Sequence, residues 1–148
     1  GLIRSAGVCN FLPEHLERLE KETGILPSVN QIELHPYFNQ QEARNWNTEH
    51  GILTEAWSPL GRGNEILTNE AIQKIAAGHA KTVSQVILRW HIQMGTLPIP
   101  KAASLQHQME NISIFDFALT EDEIAAICRL TRADGRLNNQ DPSSYEEF

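Results

Sequence analysis

Apolar residues recur along this chain with two periods, one typical of strands and one typical of helices. Short apolar or alternating segments predict buried strands at 2–10, 29–34, 52–58 and 97–101. Longer segments with apolar residues three and four apart predict amphipathic helices between the strands. The predicted helices start near Pro13, span about 39–49, lie around Ile72, and follow Thr82 and Thr120. A polar helical turn is also predicted after Lys101.

Helix boundaries carry clear signals. Thr82 with Gln85, and Thr120 with Glu123, have the spacing of capping boxes. The first box opens a single apolar stripe formed by Val83, Val86, Ile87 and Trp90. Beside the second box, Leu119 and Ile124 are placed as a hydrophobic staple, and Ile127 continues that face.

A repeated pattern joins these elements: a helix ends at Gly24, Gly51 or Gly95, and an apolar segment follows. Strands that alternate with helices pair in parallel, because each helix is a crossover connection. The resulting four strand–helix units predict either a small doubly wound sheet or half of an eight-stranded barrel, which typically takes about 250 residues. We expect 1–131 to form this α/β unit, 59–64 a Gly-rich loop, and 132–148 an extended tail.

Composition narrows the classes of function. The 148 residues are 41% hydrophobic and carry a net charge of −7, which disfavours a general binder of nucleic acid or anionic membranes. No apolar run approaches the roughly 20 residues that span a bilayer. Cys9 and Cys128 lack metal-ligand spacing, and no secretory pattern is present, so we expect a cytoplasmic protein with two thiols, although sequence alone leaves a disulfide open.

Candidate chemistry lies at the carboxyl ends of the predicted strands, where parallel α/β folds bind ligands. Asn10 and Gln31 offer amides, Trp57 a flat ring for stacking, and Lys101 a charge next to a helix N-terminus that suits phosphate. Taken singly, Asn10 and Gln31 are better explained by backbone capping and Trp57 by core packing, whereas surface exposure explains Lys101 only as well as a phosphate site does. Together they favour a site for a nicotinamide dinucleotide.

The chain resembles the C-terminal half of the aldo-keto reductases, NAD(P)-dependent carbonyl reductases built on a (β/α)8 barrel. The bacterial, short-loop members that reduce keto-sugar acids and small aldehydes look most similar, because Trp57 stands where many members carry tyrosine. The resemblance rests on Gly7-Val8-Cys9-Asn10-Phe11, Val29-Asn30-Gln31-Ile32-Glu33-Leu34-His35-Pro36-Tyr37, Ala56-Trp57-Ser58-Pro59-Leu60-Gly61, Gln85-Val86-Ile87-Leu88-Arg89-Trp90, Ile99-Pro100-Lys101, and Glu110-Asn111 with Phe115-Asp116-Phe117.

The resemblance implies roles for matching positions. Asn10 and Gln31 would hold the nicotinamide carboxamide, and Trp57 would stack on the ring. Ser58 and Leu60 would line the pyrophosphate path, Lys101 would contact phosphate, and Asn111 the adenine. The implied cofactor is NADP, with NAD as an alternative, and the implied binding set is Cys9, Asn10, Gln31, Trp57, Ser58, Leu60, Lys101, Ser104, His107 and Asn111.

Three positions depart from the family pattern. Cys9 replaces a serine, Ala102 replaces a serine or threonine, and His107 replaces an arginine that grips the 2′-phosphate of NADP. A neutral histidine cannot replace a bidentate guanidinium. We therefore expect a weakened preference for NADPH and some tolerance of NADH.

The resemblance places the catalytic Asp, Tyr, Lys and His on the first four strands of the barrel, and no residue of this chain maps to them. We expect a fragment, or a separately encoded half, of an oxidoreductase that acts on small carbonyl substrates. Alone, the chain should be inactive and should associate with the N-terminal half or with itself. Two alternatives are a non-catalytic dinucleotide-binding or auxiliary module, and an unrelated doubly wound binding protein.

Overall fold

The structure, a computed structural model, describes residues 1–63 and 65–144. Its centre is one sheet of four parallel strands. The strands are β1 (Gly7–Cys9), β2 (Val29–Glu33), β3 (Leu53–Trp57) and β4 (Leu97–Pro98). The helices are α1 (Pro13–Thr23), α2 (Gln41–Glu49), α3 (Glu70–Gly78), α4 (Val83–Gln93), α5 (Leu105–Ile112) and α6 (Glu121–Cys128), with 3₁₀ turns at Gly61–Gly63, Glu65–Thr68 and Leu137–Asn139.

Strand order decides between the two predicted architectures. The strands lie side by side in chain order, β1-β2-β3-β4. A doubly wound sheet reverses its order at a switch point, whereas a (β/α)8 barrel adds each strand beside the previous one. The α/β class with parallel units of barrel type is confirmed, and the alternative of an unrelated doubly wound protein is wrong.

The glycine pattern is also confirmed. Gly24, Gly51 and Gly95 have φ values of 73°, 69° and 72°, the left-handed conformation that closes a helix at low cost only for glycine. The Gly24 amide donates to the carbonyl of Glu20 at 2.7 Å, which closes α1. These left-handed glycines turn the chain from the helices toward the sheet.

One face of the sheet packs against the helices. Even-numbered residues of β2 and β3, and the residue after β2, point into this core, because side chains alternate along a strand. Ile32, Leu34 and Ala56 are at most 3% exposed. They pack in a cluster that contains Ile72, Ala76, Val86, Ile87, Trp90, Leu119 and Ile127. The predicted stripe of α4 and the apolar face of α6 therefore face the core.

The opposite face of the sheet is open. Leu53, Leu97 and Ile99 on this face are 44%, 44% and 47% exposed. Within the described part of the chain, β1 and β4 each pair on one side only, so the sheet has two free edges. This one-sided covering is what half of a closed barrel presents.

Two predicted strands are shorter than expected. The segment 2–10 forms a strand only at Gly7–Cys9, and Leu2 and Ile3 are exposed rather than buried. The ladder of β1 begins where β2 begins, at the Gly7–Val29 pair, so earlier residues have no neighbouring strand. The segment 97–101 is a strand only at Leu97–Pro98, because prolines 98 and 100 have no N–H to donate.

Helix starts follow the predicted chemistry more closely. The hydroxyls of Thr82 and Thr120 each accept from the backbone three residues on, and both capping boxes are complete. The second predicted helix begins at Gln41 rather than near residue 39. The side chain of Asn39 instead accepts from the Gln41 amide at 3.2 Å, just before the helix.

Residues 132–144, part of the segment expected to be an extended tail, fold back over the loop between β2 and α2. A Cβ on Gly135 would lie 1.9 Å from the carbonyl oxygen of Tyr37, so only glycine allows this approach. The Leu137 amide donates to the buried carboxylate of Glu33 at 2.6 Å. Residues 145–148 of the predicted tail and Asn64 of the predicted loop lie outside the described residues.

Two further expectations concern the thiols and the membrane. Cys9 and Cys128 are not joined by a disulfide. None of the helices in 1–63 and 65–144 combines the length and apolarity that crossing a bilayer requires.

Candidate cofactor site

Three of the predicted residues come together on neighbouring strands, although Gln31 lies in the middle of β2 rather than at its predicted carboxyl end. Asn10 directly follows β1, and its backbone amide donates to the carbonyl of Gln31 at 2.8 Å. Its side-chain oxygen accepts from the indole N–H of Trp57, at the end of β3, at 2.8 Å. Asn10 has φ 57°, which asparagine tolerates better than most residues. The left-handed turn thus places Asn10 beside Trp57, two strands away.

Gln31 lies between them on β2 but already has a polar partner. Its side-chain amide donates to the carboxylate of Glu55, the residue opposite it on β3. The thiol of Cys9 approaches the oxygen of the same amide at 3.9 Å. A ligand carboxamide that bonds to the N–H₂ group of Gln31 must therefore share it with Glu55. Glu55 is therefore a site residue that the sequence did not predict, although the strand register would have paired it with Gln31.

The loop after β3 continues the site. Ser58 has φ 49°, and its carbonyl accepts from the Gly61 amide at 2.8 Å, which closes a tight turn. Leu60 follows, and then Arg62, which donates from Nε to the Ser58 hydroxyl at 3.0 Å. The guanidinium carbon of Arg62 lies 5.5 Å from the centre of the Trp57 ring. Arg62 is a second residue that the sequence reading missed.

This loop forms one wall of a cleft whose volume is about 720 Å³. Three predicted residues line the cleft: Ser58 and Leu60 of this loop, and Lys101, which lies beyond β4. The described lining is completed by Pro59, Arg62, Leu67, Ile99 and Pro100. No acidic side chain belongs to this lining, so its charge is carried by two cations.

The remaining predicted residues lie along α5. The Ser104 hydroxyl accepts from the His107 amide at 3.2 Å and caps the helix, and both side chains are exposed. Asn111 lines a different groove of about 380 Å³, whose walls are mostly apolar and include Ala102. The ten predicted residues therefore occupy a rim, a cleft and a helix rather than a single cavity.

A buried histidine supports the cleft from below. His91 of α4 is fully buried, and its Nε2 donates to the carbonyl of Pro59 at 3.4 Å. Its Nδ1 lies 3.1 Å from the hydroxyl of Thr96. Burial lowers the pKa of His91 to about 3, more than the contact with the Pro59 carbonyl raises it. The imidazole is therefore neutral near pH 7 and holds the start of the loop by a hydrogen bond.

Two residues of the His-Pro-Tyr motif are internal. His35 has no exposed surface, and its Nε2 lies 3.0 Å from the Glu33 carboxylate. Tyr37 is 6% exposed, and its hydroxyl accepts from Asn69 at 3.2 Å. These positions stabilise the β2–α2 loop. No group of three or more potential metal ligands comes together among the described residues.

Comparison with known proteins identifies the family to which this chain belongs. The model of the Aldo/keto reductase family matches residues 1–132. The chain belongs to the aldo/keto reductase family. The predicted family is thereby confirmed over nearly the whole chain.

Individual relatives show the same pattern of coverage. The 2,5-diketo-D-gluconic acid reductase B of Corynebacterium sp. (strain SHS752001) is 51% identical over all 148 residues, which cover 53% of that protein. Methylglyoxal reductase DkgA of Yersinia pestis is 48% identical over 88% of the chain and 47% of its own length. The chain thus spans about half the length of the curated relatives that it matches.

Solved structures agree with this view of the reductase fold. A mutant of Gox0644 in complex with NADPH matches with a TM-score of 0.91 and 45% identity, over 97% of this chain and 52% of that one. The four strand–helix units correspond to about half of that fold.

Proposed function

We propose that this chain supplies the cofactor-binding half of an NAD(P)H-dependent oxidoreductase that reduces aldehydes or ketones by hydride transfer. The observation that carries the proposal is the contact of Asn10 with Trp57 beside a cleft that holds Lys101. An amide, an indole and a cation in that order suit a carboxamide, a ring and a phosphate. The NADPH bound by the Gox0644 mutant supports the same cofactor here.

The substrate class follows from the family. The names of two relatives specify 2,5-diketo-D-gluconic acid and methylglyoxal, both small carbonyl compounds. We infer a small carbonyl substrate for the complete protein, which we expect to be cytoplasmic. The proton donor to the carbonyl oxygen would come from the part of the barrel that this chain does not contain. The isolated 148 residues should therefore bind the cofactor without turning substrate over.

A second function has specific support from α5 and the residues before it. Ala102 offers no hydroxyl and lines the apolar groove, and His107 offers no fixed positive charge. The change at Ala102 removes a hydroxyl, and the change at His107 removes a contact with the 2′-phosphate, that the family pattern supplies. They favour a non-catalytic module that keeps the dinucleotide groove as a sensor or auxiliary subunit.

Titration of the chain with NADPH and NADH tests whether it binds the cofactor. Binding of either dinucleotide should change the fluorescence of Trp57, and Trp57→Phe should remove that part of the signal. Trp46→Phe is the matched control, because Trp46 lies on α2 and stacks on His50, away from the strand ends. Absence of binding of either cofactor to the folded chain would contradict both functions.

A further inference from the structure

We propose that Glu55 is a positioning residue, a role that rests on the proposed function. By holding the amide of Gln31 in one orientation, Glu55 makes the site select a carboxamide on the ring of the ligand. The resemblance to the family gave Glu55 no role. Three features of the site support this one: the cross-strand row that contains Glu55, the fixed polarity of the Gln31 amide, and the opposite polarity of Asn10.

Glu55 belongs to a row of side chains that crosses three strands. Cys9 of β1 pairs with Gln31 of β2, and Gln31 in turn pairs with Glu55 of β3. The row shares the open face of the sheet with Trp57, because Trp57 lies two positions after Glu55 on the same strand. It therefore lies one layer before the contact between Trp57 and Asn10.

The contact with Glu55 decides which group of the Gln31 amide can face a ligand. A carboxylate only accepts hydrogen bonds, so the N–H₂ group of Gln31 must face it, as the structure shows. The other group, Oε1, is approached by the thiol of Cys9 at 3.9 Å. A carbonyl oxygen has two lone pairs and a thiol is a weak donor, so Oε1 keeps the capacity to accept from a ligand.

No cation competes with Gln31 for this carboxylate. Across residues 1–63 and 65–144, the ion pairs of the basic side chains do not extend to Glu55. Gln31 and Glu55 are both half-buried, so water competes less for their hydrogen bond, which a charged acceptor strengthens further. The amide of Gln31 is therefore oriented before any ligand arrives.

Asn10 has the opposite polarity, which is also fixed by its partner. The indole N–H of Trp57 only donates, so the side-chain oxygen of Asn10 must face it, as observed at 2.8 Å. The N–H₂ group of Asn10 has no partner within the described part of the chain. The rim thus offers a donor from Asn10 and an acceptor from Gln31. A primary carboxamide carries the matching acceptor, its C=O, and the matching donor, its N–H₂.

Calorimetric titration of the full 148-residue chain tests this role with two probes of equal charge. They are NADPH and its 3-acetylpyridine analogue, in which CH₃ replaces the N–H₂ of the carboxamide, so only NADPH can donate to Gln31. We expect NADPH to bind about fivefold or more tightly than the analogue, the usual effect of one hydrogen bond.

Glu55→Gln keeps the shape of the side chain but introduces an amide that can donate or accept. Gln31 is then free to turn, and the preference for NADPH should fall below about twofold. Glu49→Gln is the matched control, because Glu49 is exposed at the end of α2 and its substitution removes the same charge.

A double variant separates the orientation of the amide from the loss of the carboxylate. When Gln31→Glu is combined with Glu55→Gln, the amide now at position 55 donates to the carboxylate now at position 31. The second oxygen of that carboxylate still accepts from a carboxamide N–H₂, so the preference for NADPH should return. This variant also decides the question if Glu55→Gln alone does not fold.

Thermal melts establish which variants fold. Loss of the preference in Glu55→Gln, with retention in Glu49→Gln and return in the double variant, supports the role of Glu55. A preference that Glu55→Gln leaves unchanged, or equal binding of both probes by the original chain, overturns this role while the proposed function stands. If only the double variant folds, a preference for NADPH supports the role and equal binding overturns it. Absence of NADPH binding by the folded original chain contradicts the proposed function, and the role of Glu55 with it.

Discussion

At the scale of single residues, Asn10 links backbone shape to the candidate site. Its left-handed φ turns the chain after β1, and its side-chain oxygen accepts the Trp57 indole. These two contributions can be separated by substitution. Glycine accepts the backbone conformation but removes the acceptor, whereas alanine loses both.

Asn10→Gly should therefore lower the free energy of unfolding by about 1 kcal/mol, the net value of one hydrogen bond. Asn10→Ala should lower it by about 2 kcal/mol or more, because a left-handed alanine adds strain. Urea unfolding of both variants checks this order. Equal stability of the two would show that the φ of Asn10 carries no cost.

His107 sets the expectation for cofactor choice. It is exposed on the first turn of α5, where its backbone amide is engaged by Ser104. His107→Arg should tighten NADPH binding about tenfold or more, by adding a charged contact to the 2′-phosphate, and leave NADH unchanged. Dissociation constants for both cofactors measure this effect. A strong preference for NADPH in the original chain, unaltered by the substitution, would contradict the prediction.

At the scale of elements, α4 positions the loop after β3. The neutral imidazole of His91 donates to Pro59, so the helix core supports the wall of the cleft. The folded chain resists protonation of His91 down to about pH 3, whereas the unfolded chain binds that proton near pH 6.5. Between these values the unfolded state holds more protons, so stability falls as the pH falls.

Between pH 6.5 and 4.5, above the ordinary range of most carboxylates, His91 should contribute a slope of about 1.4 kcal/mol per pH unit to the free energy of unfolding. His91→Gln should remove this contribution, although it also lowers overall stability. Urea unfolding across this range gives the slope for each protein. Parallel curves for the two proteins would show that His91 does not titrate as its burial requires.

Local signals predicted much of the fold. The glycines at 24, 51 and 95, the two capping boxes and the stripe of α4 all depend on neighbours within a few residues, so sequence reveals them. The lengths of β1 and β4 depend on strands beside them, which a linear pattern does not show. For the same reason, the packing of 132–144 on the β2–α2 loop was not foreseen.

The candidate site shows the same division. Residues in recognisable motifs, such as Asn10 and Trp57, were found, and the structure joins them. Glu55 and Arg62 were missed because their roles come from cross-strand register and from a loop turn. The cofactor contacts assigned to the ten residues stay predictions.

At the scale of the whole molecule, the chain exposes more surface than a monomer of its mass should. Its accessible surface is 9161 Å² for 16.7 kDa. Folded monomers of this mass average about 7,600 Å², so the excess is roughly 1,500 Å². That excess is about twice the roughly 800 Å² that each partner buries in a standard protein–protein interface. It includes the open face of the sheet, and two sheet edges are also unpaired.

The isolated chain should therefore associate with itself in a concentration-dependent manner. Leu53→Lys on the open face should shift the equilibrium toward monomer, because a charge there opposes burial. Ile25→Lys is the matched control, since Ile25 is also exposed but lies in the loop after α1. Sedimentation measures the change. A monomer at all concentrations with a cooperative melt would indicate a complete small domain rather than half of a barrel.

The most direct test of the central claim restores the other half of the barrel. The 148 residues would be joined after the N-terminal half of the Corynebacterium diketogluconate reductase B, with which they share 51% identity. We expect this chimera to oxidise NADPH in the presence of methylglyoxal. A folded chimera that binds NADPH without turnover would contradict the reductase function and favour the non-catalytic module.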